Sequence, residues 1–142
     1  MPLPRPAPGM VVRYAFLWSD EADSGRTEGR KDRPCVIVVA AVRQGDGRVR
    51  VRVVPITRAP KEPERGVAIP AKVKRHLGLD EDASWIVLDE ANEFVWPGPD
   101  LRPVSREKAG VWTFGVLPQE LFAELRAKLA AVLQRRRILR SE

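Results

Sequence analysis

The alternation of apolar and polar positions predicts a series of short strands and one long helix. In residues 10–18, Val12, Tyr14, Phe16 and Trp18 share one face at period two, as in a strand. Residues 35–42, Cys35-Val36-Ile37-Val38-Val39-Ala40-Ala41-Val42, are an unbroken, largely β-branched run, which predicts a central strand buried on both faces. The turn Gly45-Asp46-Gly47 makes a hairpin with 48–57, where Val49, Val51 and Val53 face in and Arg48, Arg50 and Arg52 face out. Further strands are predicted over 66–70, 84–88, 93–96 and 111–116, with a helical turn over 71–77 stopped by Gly78. The period changes once. Leu121, Leu125, Leu129, Val132 and Leu133 recur at helical spacing after Pro118, a favoured first helical residue, and predict a helix over about 118–139.

The polar stretches complete the outline. Residues 1–8 carry proline at every second position and are expected to form an extended, flexible arm. Residues 19–32 contain almost nothing apolar and are expected to be a long, charged loop, functional or disordered. Pro34 holds Arg33 away from helical angles where that loop enters the sheet. The expected organisation is one mainly β domain over 9–142, with the amphipathic helix packed across the open end of a small barrel. Thirteen prolines in 142 residues agree with short strands and turns rather than a helical bundle.

Charge narrows the class of partner. A net charge of +6 and a sequence pI of about 10.1 favour a polyanion, with nucleic acid ahead of anionic membrane. Arg48, Arg50 and Arg52 read either as a solvated face or as a stripe that tracks phosphates. So do Arg135, Arg136, Arg137 and Arg140, which also suit a helix C-terminus. The single cysteine, Cys35, excludes an internal disulfide and sits in an apolar run as a small core residue, which suits a cytoplasmic protein. The N-terminus has no apolar core of the signal-peptide kind, and no apolar run approaches membrane-spanning length.

Several chemistries are excluded on inventory. His76 is the only histidine, so neither a Ser-His-Asp triad nor a pair of catalytic histidines is available, and nothing is spaced around it as a zinc site. There is no phosphate-binding glycine loop. The acidic turns 80–82 and 89–90 are explained by turns and solvated faces, and neither a metal nor a cofactor is expected. Arginines, threonines and glutamates around two loops remain. They suffice for RNA cleavage, because RNA supplies its own 2′-hydroxyl nucleophile. A guanidinium can neutralise the phosphoryl oxygens, a glutamate can accept the proton, and a threonine can hold the phosphate or relay a proton. Trp18, beside the loop, belongs first to the core, and base stacking is the use a nucleic-acid site would make of it.

Thr27-Glu28-Gly29-Arg30-Lys31-Asp32-Arg33-Pro34-Cys35-Val36-Ile37-Val38 resembles the loop and second strand of the MazF/PemK toxin family, in which a glutamate precedes the strand-opening Arg-Pro by five residues. Val53-Val54-Pro55-Ile56-Thr57 resembles the family's next strand, which ends in Pro-x-Thr. Gly9-Met10-Val11-Val12 resembles its opening strand, Leu88-Asp89-Glu90-Ala91-Asn92 its Asp-Gln turn, and Gly115-Val116-Leu117 the entry to its C-terminal helix. The likeness spans about residues 9–135. It implies a small SH3-like (PemK/CcdB-like) barrel, usually homodimeric. It further implies a toxin of a type II toxin–antitoxin pair that cleaves single-stranded RNA (mRNA) without a metal, leaving a 2′,3′-cyclic phosphate and a 5′-hydroxyl.

The resemblance puts the catalytic roles on Arg33, Thr57 and Glu28; Arg30, Lys31, Arg58 and Trp18 are expected as RNA contacts. It implies a cognate antitoxin, expected to be an acidic segment that folds over 19–32 and the Arg33/Thr57 site. The chain departs from the family at Met10, where an acidic residue is usual, at Glu90 in place of glutamine, and in extra residues near 97–109. The recognised RNA sequence is therefore not carried over. Two other readings of the same fold are a non-catalytic binder of a protein target, in the manner of gyrase poisons, or of RNA, and an orphan member with neither partner nor toxicity.

Overall fold

The computed structural model describes residues 3–25, 31–60, 63–82, 85–132 and 137–140. Its centre is a meander of three antiparallel strands, β1 (Met10–Tyr14), β2 (Arg33–Val42) and β3 (Val49–Thr57). The apolar run of β2 buries both faces over its first half. Cys35 and Ile37 join Val12, Tyr14, Val53 and Phe94 in one cluster, while Val36 joins Val11, Val54 and Ile56 in another. Beyond a register shift between Ile37 and Val39, the hairpin projects outward. Val39 and Val42 there are 40% and 63% exposed, so the second half of the run is not buried on both faces.

The remaining strands close the sheet around this meander. Strands β4 (Gly66–Ala68) and β5 (Trp85–Val87) extend it past the end of β3, and β6 (Glu90–Val95) pairs with Arg50–Val53. The free edge of β1 takes two short strands, β7 (Leu101–Arg102) and β8 (Gly115–Val116). The result is a small, mainly β barrel. The C-terminal helix α3 (Gln119–Val132) lays Leu121, Leu125 and Val132 on the second cluster, and Lys128 Nζ donates to the Gly66 carbonyl at 2.7 Å. A helix α2 (Ala71–Leu77) ends at Gly78, whose φ of 69° is the left-handed conformation of a helix stop.

Five expectations need correction. Strand β1 ends at Tyr14, and the charged loop 19–32 begins with a short helix, α1 (Ser19–Asp23). Acidic Asp20 and Glu21 suit a first turn, and Glu21 reaches back to accept the Trp18 N–H at 3.1 Å. Strand β6 starts at Glu90, three residues earlier than expected, because Asn92 and Glu93 are buried and hydrogen-bonded there. Residues 111–114 are not strand, since the Thr113 hydroxyl accepts the Gly115 N–H at 3.0 Å and takes a place that backbone pairing would fill. The C-terminal helix does not run to 139. Arg137–Arg140 form a strand, β9, parallel to β6, where Ile138 packs on the core and the backbone meets the edge of β6. Residues 133–136, including Leu133, Arg135 and Arg136, lie outside the described residues.

The arginine stripe on β3 is also resolved. Arg52 donates from Nε and Nη2 to the buried Glu93 carboxylate at 3.1 and 2.6 Å, and Arg50 approaches its other oxygen at 3.4 Å. Arg50 and Arg52 are thus committed to Glu93 rather than set out as a row of open cations. No helix among the described residues is long and apolar enough to cross a membrane.

Candidate functional site

The antiparallel register of β2 and β3 decides where the site forms. Cys35 lies opposite Pro55, so two residues back along β2 and two forward along β3 bring Arg33 alongside Thr57. Both line an open cleft of about 630 Å³. Its other walls are Trp18, Asp20, Glu21 and Ser24 from the α1 segment, Ala59 and Pro60 beyond β3, and Val87, Asp89 and Glu90 from the β5–β6 turn.

Arg33 is held without a salt bridge among the described residues. Its guanidinium carbon lies 5.1 Å from the Trp18 ring centroid, a cation–π distance. Its Nε is buried and has no hydrogen-bond partner among the described residues. Such an orphan donor costs about 1–3 kcal/mol or more when charged. Trp18 is half-buried and meets Phe16 edge-on, with centroids 5.3 Å apart. The side chain that sequence alone assigned to the core therefore serves both core and cleft.

The cleft carries an acidic side that composition hid. Glu90 accepts the Ser19 N–H at 2.7 Å and the Ser19 hydroxyl at 3.1 Å. Burial raises its carboxyl above the ordinary glutamate range and outweighs the two Ser19 hydrogen bonds, which lower it; nearby Asp89 and Asp20 raise it further. Asp89 in turn pairs with Arg65 at 3.4 Å. The sulfur and phenol nearby are poor proton acceptors and donors of charge: burial pushes the Cys35 thiol and the Tyr14 hydroxyl far up, so both stay protonated at neutral pH.

The raised Glu90 carboxyl fixes a pH dependence. Between the ordinary glutamate value and the raised one, the folded chain binds a proton that the unfolded chain has released. Stability therefore falls as pH rises through that window. Glu90→Gln is expected to remove that slope, making the variant the more stable protein at pH 7 and bringing the two together at about pH 4 and below. Thermal melts of both proteins across pH 3.5–7.5, about the glutamate range, check this, and a constant difference at every pH would contradict it.

Of the residues named from sequence, Arg33, Thr57 and Trp18 meet on the cleft. Arg58, one step past Thr57, does not line the cleft and forms an exposed pair with Asp82 at 3.4 Å. Lys31 is exposed and does not line the cleft, while its neighbour Asp32 lies between Arg13 and Arg102 at 3.7 and 3.8 Å. Glu28 and Arg30 lie outside the described residues. His76 is exposed on α2, away from the cleft. Among the described residues no group of three His, Cys, Asp or Glu side chains is arranged to hold a metal ion. Sequence reasoning missed Glu90, Asn92 and the acidic face of α1. The signal for the first two was their place in the turn that resembles the family's Asp-Gln element.

No protein-family model and no curated protein matches the chain. Solved structures do. A MazF from Deinococcus radiodurans is 22% identical over 91% of this chain and 96% of its own, with a TM-score of 0.56. A MazE–MazF complex from the same organism gives 22% identity, the same coverages and a TM-score of 0.54. An endoribonuclease in complex with its cognate antitoxin from a mycobacterial species is 15% identical over 91% and 93%, with a TM-score of 0.50. At this identity the likeness establishes the fold: this chain has the MazF fold.

Proposed function

We propose that the chain is the toxin of a type II toxin–antitoxin pair and that its cleft cuts single-stranded RNA. The observation that carries this reading is the meeting of Arg33 and Thr57 on one cleft, with a buried guanidinium nitrogen left unpartnered, in a fold shared with MazF. A phosphate is drawn to Arg33 and repelled by the carboxylates of Asp20, Glu21, Asp89 and Glu90. The scissile phosphate therefore sits at Arg33 and Thr57, and the carboxylates of Asp20, Glu21 and Asp89 meet base N–H donors, while the two oxygens of Glu90 are taken by Ser19. The 2′-oxygen attacks phosphorus as Glu28 takes its proton. The bond to the 5′-oxygen breaks, that oxygen takes a proton from water, directly or relayed by the Thr57 hydroxyl, and a 2′,3′-cyclic phosphate remains. Arg33 stabilises charge on the phosphoryl oxygens with its planar fork of donors, and Thr57 holds a phosphoryl oxygen or relays a proton.

The partners follow from that reading: mRNA as substrate, a second copy of the chain, and an antitoxin, all in the cytoplasm. Two of the similar solved structures are complexes of this fold with an antitoxin. A segment that fills this cleft must bring an anionic group to Arg33 and donors or cations to the carboxylates, so its contact residues are of mixed charge. The reading is tested by incubating the protein with long single-stranded RNA in EDTA and mapping the ends. Cleavage is expected, with 5′-hydroxyl ends downstream and cyclic phosphates upstream. Intact RNA would overturn the nuclease and leave the non-catalytic binder, for which toxicity survives loss of Arg33.

A further inference from the structure

We infer that Glu90 and Asn92 of β6 are positioning residues that set Trp18, and through Trp18 the Arg33 guanidinium, in the cleft. This rests on the cleft being the working site proposed above. The chain of contacts is continuous. After β1 ends at Tyr14, residues 15–18 belong to no strand. Two β6 side chains supply hydrogen bonds there in place of a neighbouring strand. The Asn92 carboxamide accepts the Leu17 N–H at 2.8 Å and donates to the Leu17 carbonyl at 2.9 Å, so one side chain imitates a backbone bridge. Glu90 takes both donors of Ser19. Trp18 lies between these two fixed residues.

Strand geometry explains why the two β6 residues act together. Glu90, Asn92 and Phe94 alternate onto one face, and Phe94 joins the cluster against which Trp18 packs. Glu93 points to the other face and serves Arg50 and Arg52. At the far end, no carboxylate among the described residues pairs with Arg33, so the Trp18 ring is the contact that locates its cationic head. A displacement of Trp18 therefore moves the phosphate-binding group. Asn92 is 4% exposed and its carboxamide is spent on backbone, which leaves it no direct part in ligand binding.

The test uses the full chain labelled with 5-fluorotryptophan. Its four tryptophans give four fluorine resonances, and Trp18→Phe identifies that of Trp18. Glu90→Ala is expected to displace the Trp18 resonance by more than its linewidth while Trp85, Trp96 and Trp112 hold theirs. Glu90→Gln keeps an acceptor for the Ser19 N–H, offers its amide to the Ser19 oxygen, and is expected to restore the wild-type position. In RNA cleavage, Glu90→Ala is expected to lower kcat by about tenfold with KM within about twofold, the pattern of a misplaced catalytic group. Glu90→Gln recovers most of that loss. An unmoved Trp18 resonance, a shift or collapse of all four together, or no recovery by glutamine would overturn the inference. The resonance measurement needs no RNA, so its failure is distinguishable from failure of the nuclease reading.

Discussion

Arg33→Ala is expected to lower RNA cleavage by about 10²–10³-fold, the loss seen when a preorganised charge-stabilising donor is removed, while leaving folding stability within about 1 kcal/mol of wild type. The two halves of this prediction have one cause. Arg33 contributes little to the folded state beyond its contact with Trp18, at 5.1 Å. A partly exposed cation–π contact is worth about 0.5–2 kcal/mol. The buried Nε without a partner costs about 1–3 kcal/mol. The two nearly cancel. A guanidinium that adds so little to stability is free to be selected for chemistry. Arg33→Lys keeps the charge and loses the planar fork, so it is expected to recover less than about a tenth of the activity. Single-turnover cleavage with matched urea denaturation checks both halves. Full activity of Arg33→Ala would remove Arg33 from the mechanism, and a stability loss above about 3 kcal/mol would make it a structural residue.

Much of this site was legible because the joining of two strands in a hairpin is a local property that a sequence states well. Once 35–42 and 48–57 are joined by a glycine turn, the antiparallel rule alone brings the entry of one strand beside the exit of the other. The exact pairing was not legible: the turn's own register, Val42 opposite Val49, would set Arg33 against Arg58, and the register shift between Ile37 and Val39 brings it to Thr57. The acidic side was not legible, because net charge counts residues without saying which way they face. The chain carries +6, yet the described lining of its cleft holds Asp20, Glu21, Asp89 and Glu90 against the single guanidinium of Arg33. Nor could periodicity separate Trp18 from a strand. Its segment keeps the period-two pattern of β1, but side chains of β6, about seventy residues away in sequence, hold its backbone. The same holds for Arg137–Arg140. Their arginines read as the end of a helix, and only the open edge of β6 makes them a strand.

The largest effect on stability is expected at Arg52. Glu93 is 5% exposed on β6 and its carboxylate takes two donors from Arg52, at 3.1 and 2.6 Å, against a single longer approach of 3.4 Å from Arg50. Arg52→Ala takes these two short donor contacts from a buried carboxylate that keeps Arg50, and this costs about 3 kcal/mol. For a chain of this size that is a fall in Tm on the order of ten degrees or more. Removing the carboxylate instead costs less, because the Arg52 and Arg50 side chains are 23% and 43% exposed, against 7% for that of Glu93, and can turn to water. Glu93→Gln is therefore expected to cost less than half as much as Arg52→Ala. The decisive variant is the double one. Arg52→Ala with Glu93→Leu removes both charges and fills part of the space with apolar surface, and buried ion pairs replaced in this way are often neutral or better. It is expected to recover at least half of the loss, giving a coupling of about 2 kcal/mol between the two sites. RNA cleavage per folded molecule is expected to stay at the wild-type level throughout, because Glu93 and Arg52 lie on the face of β6 and β3 away from the Glu90–Trp18–Arg33 chain. Additive losses in the double variant would show that Arg52 stabilises the barrel through its packing rather than through Glu93.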